Sequence, residues 1–337
     1  MNRDPLIDNA KFYLIFLVVF GHVIQPFTSD VKAVEVLYHW IYLFHMPAFI
    51  MLSGFFAKGF LKKSYIKNLS KKLLLPYLIF HLFYTLYYLL IGVTGWQLTI
   101  FNPRWSLWFL ISLFCWHLLL IVFKKLTPLQ GVPVTIALGV IVGYIDPVGH
   151  TFSLSRTIVF FPFFLVGYWI KQENLEKLMT NKMKIFSFTA MFLVAVGLLF
   201  APSFSVDWLL ASKSYQSIGH PEIGGVIRLG IYLVSFLMTM CFFTWIPTKE
   251  TIFTNIGQKT IYIYLLHGIF IHFFRQNDLF KISTVVDVIV LAFVSLAIVW
   301  VLSTKYVRMI TQPLIEAKCT MLRRHKFLVP KGSGAEK

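Results

Sequence analysis

The sequence predicts an all-α integral membrane protein with about ten transmembrane helices and both termini in the cytoplasm. Of its 337 residues, 58% are hydrophobic and only 13% are charged, whereas a soluble domain carries about 25% charged residues. The apolar residues form blocks of about 15–23 residues, close to the roughly 20 that a helix needs to cross a bilayer. Short charged segments separate these blocks, as expected for a protein that crosses the membrane several times.

Ten apolar blocks are long enough to be assigned as spans. Three of them (132–146, 156–170 and 259–274) are short for a helix that crosses at right angles, and short spans can thin the bilayer or surround a hydrated cavity. In chain order, we predict spans at 12–28, 36–56, 73–95, 106–123, 132–146, 156–170, 185–201, 226–246, 259–274 and 285–303.

The segments that connect the spans alternate in basic content. With the N-terminus inside, the cytoplasmic segments hold 24 of the 31 lysines and arginines, and the outer segments hold 7. This distribution follows the positive-inside rule and fixes both termini in the cytoplasm. The net charge of +17 therefore reflects topology and does not indicate a nucleic-acid partner. Membrane lipids are the expected surroundings, and the plasma membrane is the expected location.

One membrane domain, residues 1–310, is predicted to make up most of the chain. Residues 311–337 form a predicted cytoplasmic basic tail. This tail is expected to be partly disordered, because its end, "LVPKGSGAEK", is polar and rich in glycine. Cys115 and Cys241 fall inside spans and Cys319 lies in the tail, so no disulfide is expected.

No metal site is expected from the histidines. His39 and His45 are six residues apart, which places them about 120° from each other around a helix and not on one face. No zinc-ligand spacing occurs elsewhere in the sequence.

The first span carries a polar stripe on one helix face. Lys11 and His22 are separated by eleven residues, which corresponds to three helical turns and about 16 Å along the axis. Asp8 lies close to the same line, and Gln25 is one turn beyond His22. The rest of this helix is mainly Leu, Ile, Val and Phe. An ionisable residue at membrane depth is costly and indicates a functional site.

Two simpler interpretations of these residues stay open. His22 can hydrogen-bond a neighbouring helix without any chemical role, and Lys11 can extend toward the membrane surface as an anchor. The same alternative applies to His267, which lies eight residues into the ninth span, one turn after Tyr264.

Six short motifs lie along the chain at the predicted spans. The first is the lysine, ten residues and histidine at the start of span one. The other five are "FHMPAFIMLSGFF" (44–56), "KKLLLPYLIF" (71–80), "WSLWFLISLF" (105–114), "RTIVFFPFFLVGYWI" (156–170) and "TIYIYLLHGIF" (260–270). Together they resemble the membrane-bound acyltransferase 3 family, in particular its branch of polysaccharide O-acetyltransferases and fucose 4-O-acetylases. The motifs occur in the family's order, and the resemblance covers about residues 5–310.

The resemblance implies an enzyme that moves acyl groups, mostly acetyl, from acyl-CoA to hydroxyls of cell-surface or lipid-linked glycans. It implies that His22 takes the proton of the acceptor hydroxyl or carries the acyl group briefly. Imidazole suits both tasks. Lys11 would hold the thioester carbonyl or a CoA phosphate, and His267 would be a second catalytic residue.

The resemblance and the charge pattern also give candidate binding residues. Lys71 and Lys72, at the entry to the third span, are expected to contact the phosphates of CoA. Alternatively, the positive charge of their loop serves to orient the chain in the membrane and has no other role. The family often has Arg-x-x-Arg here, and this chain has Asn68 followed by Lys71. We expect contacts with the acceptor from three further residues: Arg156, Trp105 and Tyr264. Arg156 and Trp105 can instead be interfacial anchors.

An exporter of polysaccharide or lipid-linked sugar is the alternative function, since such proteins are also multi-pass and basic on the inside. The two functions predict different cavities. An acyltransferase needs a cavity that joins Lys11 to His22 from the cytoplasm, whereas an exporter needs a wide path lined with polar groups.

Overall fold

The computed structural model describes residues 4–59, 63–93, 102–146, 153–316 and residue 318. All regular secondary structure in this part of the chain is helical. The α-helices are α1 (Pro5–Ile24), α2 (Lys32–Tyr42), α3 (His45–Phe55), α4 (Lys63–Leu90), α5 (Trp108–Phe123), α6 (Pro128–Ile141), α7 (Leu154–Trp169), α8 (Gln172–Glu176), α9 (Asn181–Phe200), α10 (Asp207–Leu210), α11 (Tyr215–Ile218), α12 (Gly224–Thr244), α13 (Thr254–Gly257), α14 (Thr260–Gln276), α15 (Val285–Leu302) and α16 (Lys305–Glu316).

A helical segment coincides with each of the ten predicted spans. The second span is divided into α2 and α3, and α7 is followed by a bend of 100°. Among the described residues, seven helices are long and apolar enough to cross a membrane, or eight if the bent pair is one span. The predicted fold class, an all-α integral membrane protein, is therefore confirmed, while the cytoplasmic placement of the termini stays a prediction.

The predicted tail is described only at its start. The boundary at residue 310 falls inside α16, which runs to Glu316. Beyond this helix, Lys318 is the one described residue, so the rest of the predicted tail, including Cys319, lies outside the described residues.

The first helix lies at the centre of the structure and packs against α2, α3, α13, α14 and α15. It begins at Pro5, where the Asp4 side chain accepts a hydrogen bond from a backbone N–H of the first turn. This cap satisfies one of the free donors at the helix start. Most side chains of α1 are buried, so its polar stripe faces other helices and the cavities between them.

Asn9 fixes the start of α1 to the segment before α14. Its side-chain amide donates to the carbonyl oxygens of Pro247 and Lys249, at 2.8 and 2.9 Å. Its side-chain oxygen accepts from the hydroxyls of Thr251 and Thr254, at 3.0 and 2.7 Å. All hydrogen-bonding capacity of the buried amide is thus satisfied, which explains a polar residue at this depth by structure alone.

Two glycines allow α3 and α7 to pack backbone to backbone. A Cβ at Gly54 would lie 2.0 Å from the carbonyl oxygen of Phe164, and one at Gly167 would lie 1.8 Å from that of Met51. Close approach at small residues is typical of helix packing in membranes. The quoted motifs at 44–56 and 156–170, which contain these two glycines, therefore supply the two sides of one helix contact.

Candidate active site

The end of α1 is held by an arginine from α14. In a regular helix the carbonyl of His22 would accept from the N–H of residue 26, but residue 26 is a proline and has no N–H. Arg275 replaces the missing donor. Its Nη2 donates to the His22 carbonyl oxygen and to Oε1 of Gln25, both at 2.8 Å. The position of His22 is thus coupled to α14, the helix that carries His267.

Three aromatic rings meet beside this helix end. The centroids of the His22 and His267 rings are 5.6 Å apart. The indole of Trp105 contacts both, with its centroid 4.4 Å from that of His22 and 4.9 Å from that of His267. His272 lies on the same indole at 4.7 Å. The structure therefore brings together two predicted catalytic residues and one predicted acceptor-binding residue.

The hydrogen bonds of His267 leave one ring nitrogen unused. Its Nδ1 lies 3.1 Å from the carbonyl oxygen of Ile263, which can only accept, so Nδ1 is the donor. In the neutral ring Nε2 then carries a lone pair, and this buried atom has no hydrogen-bond partner among the described residues. Buried nitrogen atoms without partners are uncommon and call for an explanation.

His22 is only half-buried, in contrast to His267. Its Nδ1 lies 3.5 Å from the hydroxyl of Tyr42. The Tyr42 ring in turn stacks on Tyr38, with centroids 3.9 Å apart, and contacts His45 at 4.5 Å. These rings support one side of the His22 imidazole and leave another side accessible to solvent.

Gly268 makes room for the indole beside the His22 and His267 imidazoles. A Cβ at this position would lie 2.6 Å from Cζ3 of Trp105 and 2.6 Å from the hydroxyl of Tyr84. Trp105 itself has a φ of 42°, a left-handed conformation that is rare for a bulky residue. Such strain is typical of functional sites that the surrounding structure holds in place.

Tyr264 lies one turn before His267 and is buried. Its hydroxyl donates to the carbonyl oxygen of Ser106 at 2.5 Å. This bond links α14 to the turn that precedes α5 and places the Tyr264 ring in the wall between two cavities.

Three neighbouring cavities follow α1 from Lys11 to the far side of His22. An inner cavity of about 190 Å³ is bordered by Lys11, and a central cavity of about 30 Å³ is bordered by His22. Both share walls formed by three rings: Phe49, Phe109 and Tyr264. An outer cavity of about 400 Å³ also has His22 in its wall.

The central cavity is the narrow point of this series. Its volume of about 30 Å³ is enough for one or two water molecules. Its wall is mainly apolar, with Ile15, Val18 and Met46 beside the shared rings. The inner and central cavities are thus separate, and the single cavity joining Lys11 to His22 that the acyltransferase interpretation predicts is not found among these cavities of the described part of the chain. A larger group can reach His22 from the inner cavity only when these side chains move.

Lys11 combines two contacts at the inner cavity. Its Nζ lies 3.3 Å from a carboxylate oxygen of Asp8 and 4.4 Å from the ring centroid of Phe56. The side chain is 25% exposed, whereas that of Asp8 is 6% exposed. The ammonium group is therefore held at the wall of the cavity and can still meet a molecule that enters it.

The remaining predicted residues lie farther from His22. Arg156 donates from Nε to the carbonyl oxygen of Leu210 at 3.1 Å, and its guanidinium lies 5.1 Å from the ring centroid of Trp108. Trp108 lines the central cavity, so Arg156 contacts the site through this indole. Lys71 and Lys72 are exposed on α4 and line none of the three cavities.

Arg275 and Gly268 are site residues that the sequence analysis missed. One signal for Arg275 was present, because a proline four residues after His22 leaves a carbonyl that needs an outside donor. The sequence does not indicate which residue supplies it. Gly268 belongs to a quoted motif, but its contact with Trp105 depends on the packing of α14 against a distant turn.

Comparisons with known proteins identify the family of the chain. A family model described as an acyltransferase domain matches residues 4–304. The nodulation protein NolL of Mesorhizobium japonicum is 38% identical over 84 residues, which are 23% of this chain and 22% of that protein. NolL of Sinorhizobium fredii is 37% identical over 84 residues, 23% of each chain. The chain thus matches less than a quarter of these relatives' length, and no solved structure matches it.

Proposed function

Because the chain belongs to the acyltransferase 3 family and is a membrane acyltransferase, we propose its donor, acceptor and location. The donor is an acyl-CoA, by default acetyl-CoA. The acceptor is a hydroxyl of a cell-surface or lipid-linked glycan, and the enzyme works in the plasma membrane. Succinyl-CoA is an alternative donor of the same chemistry.

The series of cavities along α1 is the observation that supports this proposal most strongly. His22 borders both the outer and the central cavity, and the central cavity shares three wall residues with the inner cavity at Lys11. A base in this position can meet a donor from the cytoplasmic side and an acceptor from the other side. A transfer between the two compartments needs such an arrangement.

In the proposed reaction the acceptor hydroxyl attacks the thioester carbonyl carbon. His22 takes the proton of the hydroxyl as the new C–O bond forms and the C–S bond breaks. The proton then passes to the sulfur of the departing CoA, which restores the base. A positioned general base contributes about 10²- to 10⁴-fold to such a step. The alternative course, in which His22 first carries the acyl group, uses the same residues.

The other residues receive roles from their places around His22. Lys11 meets the thioester end of the donor at the inner cavity, while the exposed Lys71 and Lys72 contact the phosphates of CoA outside it. His267 supports His22 from the neighbouring helix, and both imidazoles contact the Trp105 indole. Tyr264 separates the inner and central cavities, and Arg156 acts on the acceptor side through Trp108.

The narrow central cavity supports an acyltransferase over an exporter. An exported glycan needs a wide passage with polar walls, whereas the central cavity measures about 30 Å³ and is lined mainly by apolar and aromatic side chains. An acetyl group is small enough to pass after modest movements of these side chains, but a sugar chain is not.

A deletion strain tests the proposed function in the cell. We expect its surface or lipid-linked glycans to lack one ester that mass spectrometry and NMR detect in the parent strain. The wild-type chain should restore this ester, and a His22→Ala variant present at equal level should not. Unchanged esters with loss of glycan from the surface would instead indicate an exporter.

A further inference from the structure

The guanidinium of Arg275 has unused hydrogen-bonding capacity beside His22. Its two hydrogen bonds to protein atoms both come from Nη2, and both go to neutral carbonyl oxygens. Its Nε is buried without a hydrogen-bond partner. Within the described part of the chain, no carboxylate lies within the 4.0 Å of an ion pair with this arginine.

A partly buried cation without a counter-ion is unfavourable unless a bound anion pairs with it. Removing a charged group from water costs more free energy than removing a polar group that lacks a hydrogen-bond partner. The hydrogen bonds to His22 and Gln25 offset part of this cost, but they do not neutralise the charge. Both N–H donors of Nη2 are used in this way, so Nη1 is the group left to donate a charge-assisted hydrogen bond to an oxygen of a carboxylate or phosphate.

Arg275 lies in the wall of the outer cavity together with His22 and Gln25. The cavity volume of about 400 Å³ lies within the range of about 300–1,000 Å³ that is typical of small-molecule sites. The apolar part of the wall includes Ile271 and Phe274. The cavity thus combines a base, a cation and apolar surface, as a site for a charged sugar requires.

We infer that the outer cavity binds the acceptor by an anionic group, a carboxylate or a phosphate ester, which accepts a hydrogen bond from Nη1 of Arg275 while the acceptor hydroxyl reaches His22. This inference rests on the proposed function and adds the chemical class of the acceptor to it. A uronic acid and a sugar phosphate both have the required group.

Asp278 is the acidic group that lines the same cavity. It is exposed, so solvent and salt screen its charge, whereas Arg275 lies deeper. At an ionic strength of about 0.1 M, the interaction between exposed charges decays over a length of about 10 Å. The carboxylate therefore reduces the affinity for an anion without cancelling it.

Protection of His22 against chemical modification tests this inference without acyl-CoA. The purified full-length protein is treated with diethyl pyrocarbonate, and mass spectrometry follows the peptide that contains His22. The probes are glucuronate, glucose 1-phosphate and neutral glucose at equal ionic strength. We expect at least one anionic sugar to protect His22 at a concentration about tenfold below that of glucose, as one charge-assisted contact predicts.

Three variants make the result specific. Arg275→Gln should remove the preference for anions, and Asp278→Asn should strengthen it. Lys281→Gln removes an exposed positive charge next to the cavity residue Phe280 and should leave the preference unchanged. The comparison of glucuronate with glucose 1-phosphate shows which anion fits better.

Equal protection by all three sugars in the wild-type protein would overturn the inference, even if Arg275→Gln failed to fold. A preference for anions that persists in folded Arg275→Gln would overturn it as well. Since no acyl donor is present, anion-specific protection would still establish the binding site if the wild-type protein transferred no acetyl group, and only the proposed function would then fail.

Discussion

The rings of His22 and His267, from the first and the ninth predicted spans, have centroids only 5.6 Å apart. The His267 ring is fully buried, and its Nδ1 donates to the carbonyl oxygen of Ile263. Its free Nε2 is the atom available to act on the reacting groups or on His22.

Replacement of His267 should therefore reduce the reaction rate. We expect His267→Gln to lower kcat for acetyl transfer by about 10²-fold, the lower end of the contribution of a positioned acid or base. His117 offers a matched control, because it is also buried and donates from Nδ1 to the carbonyl oxygen four residues before it, at 2.7 Å. A His117→Gln variant should stay near the wild-type rate, and equal losses in both variants would indicate a structural effect.

Gly268→Ala tests the position of the Trp105 indole beside the two imidazoles. The new Cβ would meet Trp105 and the hydroxyl of Tyr84 at 2.6 Å, so the indole must move away from His267. We expect a clear drop in kcat, measured by initial rates, with smaller change in thermal stability. Gly197→Ala is the control, since nothing lies within 4 Å of the added carbon. An unchanged rate in Gly268→Ala would show that the position of Trp105 has no role.

Gly54→Ala tests the packing of α3 on α7. The added carbon would lie 2.0 Å from the carbonyl oxygen of Phe164, and backbone atoms cannot rotate away. We expect a loss of about 1–3 kcal/mol in the free energy of unfolding, as for other overpacked sites, seen as a lower midpoint of thermal unfolding in detergent. Gly230→Ala adds its carbon in open space and should leave the midpoint unchanged or slightly higher. Equal midpoints for the two variants would contradict the close helix contact.

Lys11→Gln tests whether acetyl-CoA binds at the inner cavity. Loss of the ammonium group should raise KM for acetyl-CoA by about tenfold, the value of one charge-assisted hydrogen bond, with a smaller effect on kcat. Lys58 is a suitable control, because its Nζ lies 4.1 Å from the ring centroid of Phe55, much as Lys11 lies on Phe56, and it does not line the cavity. If Lys58→Gln raised KM as much, the effect would come from general surface charge.

The helix content and the stripe on α1 were predictable because they depend on local periodicity. Apolar blocks of span length give helices, and a separation of eleven residues places Lys11 and His22 on one face whatever surrounds them. The broken second span was less predictable. Its division into α2 and α3 falls at residues 43 and 44, inside a continuous apolar run.

The candidate site could not be predicted from local sequence patterns, because its residues come together only through tertiary packing. The contact of His22 with His267 joins the first helix to one near the other end of the chain, and only the family resemblance suggested it. Trp105, expected to contact the acceptor, lies against the imidazoles of His22, His267 and His272 and lines none of the three cavities. Arg275 was missed because an arginine near a span end is usually an interfacial anchor.

The most direct measurement is the initial rate at which the purified protein in lipid vesicles transfers labelled acetyl from acetyl-CoA to an envelope glycan fraction. We predict that His22→Ala lowers this rate by about 10²- to 10⁴-fold, while His117→Ala, which alters a buried histidine away from the three cavities, retains most of it. Transfer at the wild-type rate by a folded His22→Ala protein would contradict the central role of this residue.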